Sequence, residues 1–168
     1  SPEQLVDATD YHAKLASIAA SLDVASSQFR PAIVAEVKIR LESARAEAER
    51  RLIANGDGTQ CAENLSHAED QLIRGLFELA CSTLFPVSTS HPQERISVVA
   101  VGGYGRGTLA PGSDIDLLFI LPARQSQRVQ NIVEFILYSL WDARQKVGHA
   151  TRSVEECIRL AKSDNTIL

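Results

Sequence analysis

Residues 98–121 constrain the fold more than any other stretch, because two short apolar runs are joined there by a glycine-rich segment. Residues 98–101 are β-branched and apolar, which predicts a buried strand. Residues 102–113 contain five glycines and predict a connection that can approach other backbone or a ligand closely. Residues 114–121 predict a second strand that is apolar except at its first and third positions.

Those two positions are aspartates, Asp114 and Asp116. Because side chains alternate along a strand, both are expected on one face, with Cα atoms roughly 6.5–7 Å apart. Ile115 and Leu117 are expected on the opposite face, in the core. A D-x-D pair alone is common in solvated turns, but this one precedes an apolar strand. No glycine and distal glutamate follow at the spacing of an EF-hand. The pattern therefore predicts that the two carboxylates bind one or two divalent cations.

The glycines before the second strand predict an anion site. Gly102, Gly103, Gly105 and Gly107 carry no Cβ, so their backbone N–H groups can approach a phosphate closely. Arg106 adds a planar, forked cation suited to phosphate oxygens. Metal-binding carboxylates beside a phosphate-binding turn indicate a protein that handles a metal–nucleoside triphosphate.

A dinucleotide-binding interpretation of the same glycines is excluded. Gly105, Gly107 and Ala110 match the G-x-G-x-x-G/A fingerprint after a strand. That fingerprint requires a long helix to begin at once within a βαβ unit. Here Pro111 and Gly112 interrupt the segment, and another strand follows.

Three residues of this segment have alternative interpretations. Arg106 can bind phosphate or pair with Asp114 or Asp116. Ser113 can hydrogen-bond a phosphate or stabilise the turn before the strand. Tyr104 can stack on a ligand or pack against the protein.

The run G-G-Y-G-R-G followed by S-D-I-D-L-L resembles the nucleotidyltransferase superfamily that includes DNA polymerase β. The downstream run L-W-D-A-R-Q-K-V-G-H-A-T-R-S-V-E-E-C, residues 140–157, is similar to the family of bacterial PII uridylyltransferases. The resemblance covers about 70 residues from Ile96 onward. It implies an α+β fold in which an N-terminal helical segment precedes a polymerase β-like core, a small mixed sheet flanked by helices.

The resemblance also implies a reaction, the transfer of UMP from UTP to a tyrosine hydroxyl of the PII nitrogen-regulatory protein with release of pyrophosphate. Asp114 and Asp116 would be the catalytic, metal-binding residues, and the metal Mg²⁺ or Mn²⁺. The residues implied to bind the nucleotide are Gly102, Gly103, Gly105, Arg106 and Ser113. Alternatives are an adenylyltransferase of the same superfamily and a non-catalytic, nucleotide-binding regulatory module.

Two features expected of the superfamily or of full-length relatives have no match here. Relatives usually add a third carboxylate from a later strand, but the candidate strand, residues 147–153, contains His149 and Thr151 on one face and no acid. The third acid therefore lies beyond residue 168, or its role is filled otherwise. No H-D dipeptide of a uridylyl-removing hydrolase occurs, so this chain is not expected to remove UMP.

The composition of the chain indicates which binding partners and which cellular compartment to expect. The net charge of -4 gives no basic surface, which disfavours nucleic acid. No apolar run approaches the ~20 residues of a membrane span. Three cysteines without C-x-x-C spacing fit a reducing cytoplasm. The chain lacks methionine and ends on Ile-Leu, so we expect a C-terminally truncated fragment of a longer protein.

Apolar periodicity predicts the remaining elements. Helices are expected over residues 4–29, 32–54 and 62–85, the third capped by Ser66 with Glu69 or by Asn64. Residues 86–92 are rich in Ser, Thr and Pro and mark a boundary between a helical region, 1–92, and a nucleotidyltransferase core, 93–168. The core is expected to contain a strand over 95–101, a helix over 125–144, a strand over 147–153 and a helix over 154–162 with Ile158 and Leu160 inward.

Overall fold

The computed structural model describes residues 4–87 and 94–163 of the chain. Three long helices form the N-terminal half: α1 (Ala8–Ser21), α2 (Phe29–Asn55) and α3 (Gly58–Glu78), which continues as a π-helical turn (Leu79–Leu84). The C-terminal half contains β1 (Ser97–Val101), α4 (Gly102–Gly105), β2 (Ile115–Ile120), α5 (Gln127–Asp142), β3 (Val147–Arg152) and α6 (Val154–Ser163). The expected α+β class is confirmed.

The first predicted helix is too long at both ends. Asp7 caps the N-terminus of α1 by accepting a hydrogen bond from the backbone N–H of Asp10. The helix stops at Ser21 rather than near residue 29. The side chains of Asp23 and Ser26 accept backbone N–H groups two residues further on, which favours a turn over a continued helix.

The predicted start of the third helix is also wrong. Asp57, directly after the N-G of the preceding turn, accepts the N–H of Gln60 and starts α3 at Gly58. Asn64, Ser66 and Glu69 are therefore buried positions inside the helix and not its cap.

One hydrophobic core joins the two halves of the molecule. Tyr11 of α1 and Leu72 of α3 belong to the same buried cluster as Phe119 of β2 and Ile136 of α5. The helical segment therefore packs directly on the sheet domain. The predicted boundary at residue 92 lies outside the described residues.

Within residues 4–87 and 94–163, the sheet has three strands in the order β1-β2-β3, with β1 antiparallel and β3 parallel to β2. This is the expected mixed sheet. Ile115, Leu117 and Phe119 are buried, as the alternation predicts, whereas the residues between them are half-buried. One face of the sheet therefore lies in the core and the other is open.

The final helix departs from prediction in its packing. Ile158 was expected to point inward but is 51% exposed, and α6 buries none of its residues. Its apolar stripe identifies a face correctly, but no described element covers that face.

The three cysteines, Cys61, Cys81 and Cys157, are free. Among the described residues, no helix is both long enough and apolar enough to span a membrane.

Candidate nucleotide and metal site

Asp116 lies on the middle strand of the sheet, near the start of β2. It pairs with Val101 at the end of β1 and with Gly148 near the start of β3. Along β2 the exposed Asp114 precedes the buried Ile115, and the half-buried Asp116 follows. This alternation is the one expected if the two aspartates share the open face.

Two glycines leave room for the carboxylate of Asp116. An added Cβ would lie 2.7 Å from its Oδ2 at Gly102 and 2.6 Å from its Oδ1 at Gly148. Gly102 also has φ +61°, which side-chain-bearing residues rarely adopt. Each carboxylate oxygen therefore lies against a glycine, and any larger residue at either position would displace the carboxylate.

A cavity of about 560 Å³ opens on this face of the sheet. Its lining includes Gly102 and Asp116 at one end and Gly148 and Arg152 on β3. Arg152 pairs in register with Ile120, four residues along from Asp116. The open face thus presents a carboxylate and, further along, a guanidinium suited to an anion.

Neither Gly148 nor Arg152 was singled out from the sequence. A signal for Gly148 existed, because a glycine inside a strand often marks a close approach of another group. Arg152 ends a short strand, and its sequence context contains no comparable signal.

No third acid joins the two aspartates within residues 4–87 and 94–163, where no cluster of three or more potential metal-binding side chains is found. His149 does not fill that role. It pairs in register with the buried Leu117, and its ring lies 5.7 Å, between centroids, from that of Trp141 in α5.

The glycine-rich connection begins with a helical turn, α4, where an irregular loop was expected. Tyr104 is buried in this turn, and its hydroxyl donates to Oδ1 of Asp70 at 2.6 Å. The packed alternative is therefore the one realised for Tyr104. Burial, together with its bond to Asp70, raises the pKa of Tyr104, so the phenol remains a hydrogen-bond donor at neutral pH. At Gly105 an added Cβ would lie 2.6 Å from the carbonyl oxygen of Ala100, so the turn packs closely against the backbone of β1.

Arg106 and Gly103 lie together at the end of this turn. A terminal nitrogen of Arg106 is 3.9 Å from the position that a Cβ would take at Gly103. Arg106 is exposed. As far as the described chain extends, it forms no ion pair with Asp114 or Asp116, so the pairing alternative is not realised.

Ser113 is separated from the open face of the sheet. Its N–H donates to the carbonyl of Ala110, and the residue lines a different cavity, of about 420 Å³, together with Arg45 and Glu69. The backbone of Ser113 is therefore part of a turn, and a contact of its hydroxyl with phosphate stays a prediction.

Glu69 is a buried acid close to this second cavity. Burial raises its pKa to about 7, opposed by hydrogen bonds from the Gln145 amide at 2.7 and 3.0 Å and by Arg45 at 3.9 Å. Gln145 precedes β3, so this contact ties α3 to the strand that carries Gly148.

A small mixed sheet that presents the Asp116 carboxylate beside a glycine turn fits a nucleotidyl-transfer type of core. The chain belongs to the nucleotidyltransferase domain family, whose model matches residues 83–166. It is also 46% identical over 165 residues to a bifunctional uridylyltransferase/uridylyl-removing enzyme of Rhodopseudomonas palustris. That alignment covers 98% of this chain and 18% of the relative, so the chain spans less than a fifth of the relative's length. The resemblance inferred from the two motifs is confirmed.

Proposed function

We propose that this chain is the nucleotidyl-transfer core of a uridylyltransferase, which transfers UMP from UTP to a tyrosine hydroxyl of a PII signalling protein and releases pyrophosphate. The named activity of the relative supports the uridylyl group. The single observation that supports the chemistry most is the position of Asp116, whose two oxygens lie against Gly102 and Gly148 on an open face. We expect the reaction to take place in the cytoplasm, with a protein acceptor and no nucleic acid or membrane involved.

The residues fit a divalent cation. Asp114 and Asp116 offer hard carboxylate oxygens, the donors that Mg²⁺ and Mn²⁺ prefer. The glycines on either side of Asp116 keep its oxygens accessible, since no Cβ covers them. When bound, the metal would polarise the phosphates and lower the pKa of the attacking hydroxyl.

The remaining roles belong to the glycine turn. Gly102, Gly103 and Gly105 allow the chain to approach the triphosphate, and Arg106 at its end supplies positive charge. We assign Ser113 to keeping the turn before Asp114 in shape. Held in this way, the α-phosphorus faces the acceptor hydroxyl. The hydroxyl oxygen forms the new bond to the α-phosphorus and gives its proton to solvent, while the bond to the leaving pyrophosphate breaks.

The test compares nucleotides and acceptors in the full-length protein that contains this chain. Thermal unfolding is recorded with UTP, ATP, CTP or GTP, each with and without Mg²⁺. Transfer of labelled UMP or AMP to PII is then measured. Because a ligand of the native state raises its melting temperature, UTP–Mg²⁺ at about a hundred times Kd should raise Tm by about 5 °C or more.

The outcomes separate the alternatives. Labelling of PII from UTP supports the proposal. Labelling from ATP in preference to UTP would identify an adenylyltransferase. Binding of UTP–Mg²⁺ without transfer to any acceptor would identify a nucleotide-binding regulatory module.

A further inference from the structure

Helix α3 contacts the glycine-rich connection at two points. The hydroxyl of Tyr104 donates to Asp70, and the backbone N–H of Leu109 donates to Oγ of Ser66 at 2.9 Å. Ser66 and Asp70 are four residues apart and therefore lie on one face of α3. This face of α3 is therefore hydrogen-bonded to both ends of the segment from Tyr104 to Leu109.

The turn that contains Tyr104 is fixed from the opposite side by the sheet. Gly102 lies against the carboxylate of Asp116, and Gly105 lies against the carbonyl of Ala100. A shift of the turn would change the space around Asp116. Tyr104 is only 4% exposed, and its hydroxyl shares a cavity of about 530 Å³ with the half-buried Asp70, so removing Asp70 would exchange a fixed partner for water.

We propose that Asp70 is a positioning residue for nucleotide binding, acting through Tyr104 to hold the glycine turn in the conformation that leaves the Asp116 carboxylate accessible. The inference rests on the proposed function and extends it to a residue outside the region 83–166 that matches the family model. A phenol that donates to a carboxylate forms one of the stronger side-chain hydrogen bonds. Its loss should therefore affect the turn and not only the stability of α3.

The experiment uses the full-length protein and three variants: Asp70→Ala, Asp70→Asn and Tyr104→Phe. The dissociation constant of UTP–Mg²⁺ is measured by calorimetry, and KM, kcat and Tm are measured in parallel. Asp70→Ala and Tyr104→Phe should each weaken UTP–Mg²⁺ binding roughly tenfold, because a hydrogen bond to a charged group is lost. Asp70→Asn keeps an acceptor oxygen and should restore most of the affinity. The double variant should be no weaker than either single one, since both remove the same bond.

Tyr11→Phe is the matched control. Tyr11 is also a buried tyrosine, and its hydroxyl donates to α3, at the carbonyl of Leu72. The substitution removes a buried hydroxyl that bonds to the same helix, α3, without touching the glycine turn. It should lower Tm no more than Tyr104→Phe does, because its bond is to a neutral carbonyl, and it should leave nucleotide affinity and KM unchanged.

The outcomes distinguish this inference from the proposed function. If Tyr104→Phe and Tyr11→Phe lower Tm alike and neither changes UTP–Mg²⁺ affinity, the bond to Asp70 is purely structural and the inference is wrong. If the unmodified protein binds UTP–Mg²⁺ but transfers nothing, the proposed function fails while the affinities still decide the role of Asp70. If the unmodified protein binds no nucleotide, both are overturned.

Discussion

Two regions of the molecule differ in how their charged side chains are paired. One is the helical half, and the other is the glycine turn together with the start of β2. In the helices, Arg40 contacts both Glu36 and Asp10, and Glu47 accepts hydrogen bonds from Arg50 at 2.7 Å. At the turn and the start of β2, the side chains of Asp114, Asp116 and Arg106 have no such partner among the described residues.

This difference indicates which charged side chains contribute to stability and which are available to bind a ligand. Paired charges on a solvated helix face satisfy one another and leave little for a ligand to gain. An unpaired, half-buried carboxylate loses part of its hydration on folding, and no partner compensates for that loss. It therefore destabilises the folded state unless a ligand binds it. At Asp116, which lies between two glycines, the proposed cation would supply that compensation. The comparison therefore predicts that substitutions at the turn and strand affect activity first, and substitutions in the helices affect stability first.

The largest effect is expected for Asp116→Asn. Loss of a metal-binding carboxylate removes several kcal/mol of stabilisation from the transition state, so UMP transfer should fall about 1000-fold. Tm without nucleotide should be unchanged or higher, because an unpaired charge has been removed. Initial rates of PII labelling and thermal unfolding test both statements.

Asp10→Asn is the matched control for this substitution. It makes the same chemical change at an exposed acid paired with Arg40, and transfer should be preserved. Chelation of divalent cations should reproduce the Asp116→Asn loss in the unmodified protein, and added Mg²⁺ should reverse it. Retention of a tenth or more of the transfer rate by Asp116→Asn would contradict the metal assignment.

A second test substitutes two glycines that differ in what an added methyl group meets. At Gly148 the methyl would meet the movable carboxylate of Asp116, whereas at Gly105 it would meet the backbone carbonyl of Ala100. Gly148→Ala should therefore lower transfer roughly 10- to 100-fold with little change in Tm. Gly105→Ala should lower Tm by about 5 °C, because backbone must shift.

Kinetics and thermal unfolding of both glycine variants provide the readout. A large loss of Tm in Gly148→Ala with normal transfer would show that Gly148 matters for packing and not for the position of the carboxylate.

The strand–turn–strand unit could be predicted because its signals are local. The alternation around Ile115 and the glycines after Val101 depend only on near neighbours in sequence. Helix ends were less predictable because short polar side chains compete for the backbone, as Asp23 does where α1 stops. An amphipathic stripe such as that of Ile158 identifies a face but not the element that covers it.

The support of the site could not be predicted, because it depends on contacts distant in sequence. Tyr104 and Asp70 are 34 residues apart, and Gly148 meets Asp116 through the parallel pairing of β3 with β2. No local pattern specifies that register. The open face of the sheet was foreseeable from the D-x-D alternation, whereas the group that Gly148 approaches, the Asp116 carboxylate, was not.

A smaller effect, on the helical side, concerns the pH dependence of stability. Burial raises the pKa of Glu69 to about 7 from an ordinary value of 4.5, despite the Gln145 amide and Arg45, with Asp70 adding repulsion. The folded state therefore binds this proton more tightly than the unfolded state. The contribution of Glu69 to the free energy of unfolding is therefore fully present below about pH 4.5 and is lost as pH rises through about 7. Glu69→Gln should flatten this dependence and be the more stable protein by a few degrees at about pH 8.

Thermal unfolding of both proteins between about pH 5 and pH 8 measures this difference. Parallel pH profiles would show that Glu69 has no raised pKa in the folded state. Asp57→Asn preserves the helix cap on the same element and should follow the unmodified protein.

The smallest effect is expected for Glu47→Gln. Hydrogen bonds from Arg50 and Arg51 lower the pKa of Glu47 to about 2, so its contribution is present above the ordinary value near 4.5 and is lost as pH falls toward 2. Yet this group lies at the protein surface, where water and salt screen most of the interaction. Tm at neutral pH should therefore change by no more than about 2 °C, with transfer unaffected. A larger fall that disappears in high salt would mean that the charge network of α2 does stabilise the fold. The contrast with the unpaired aspartates would then be one of degree.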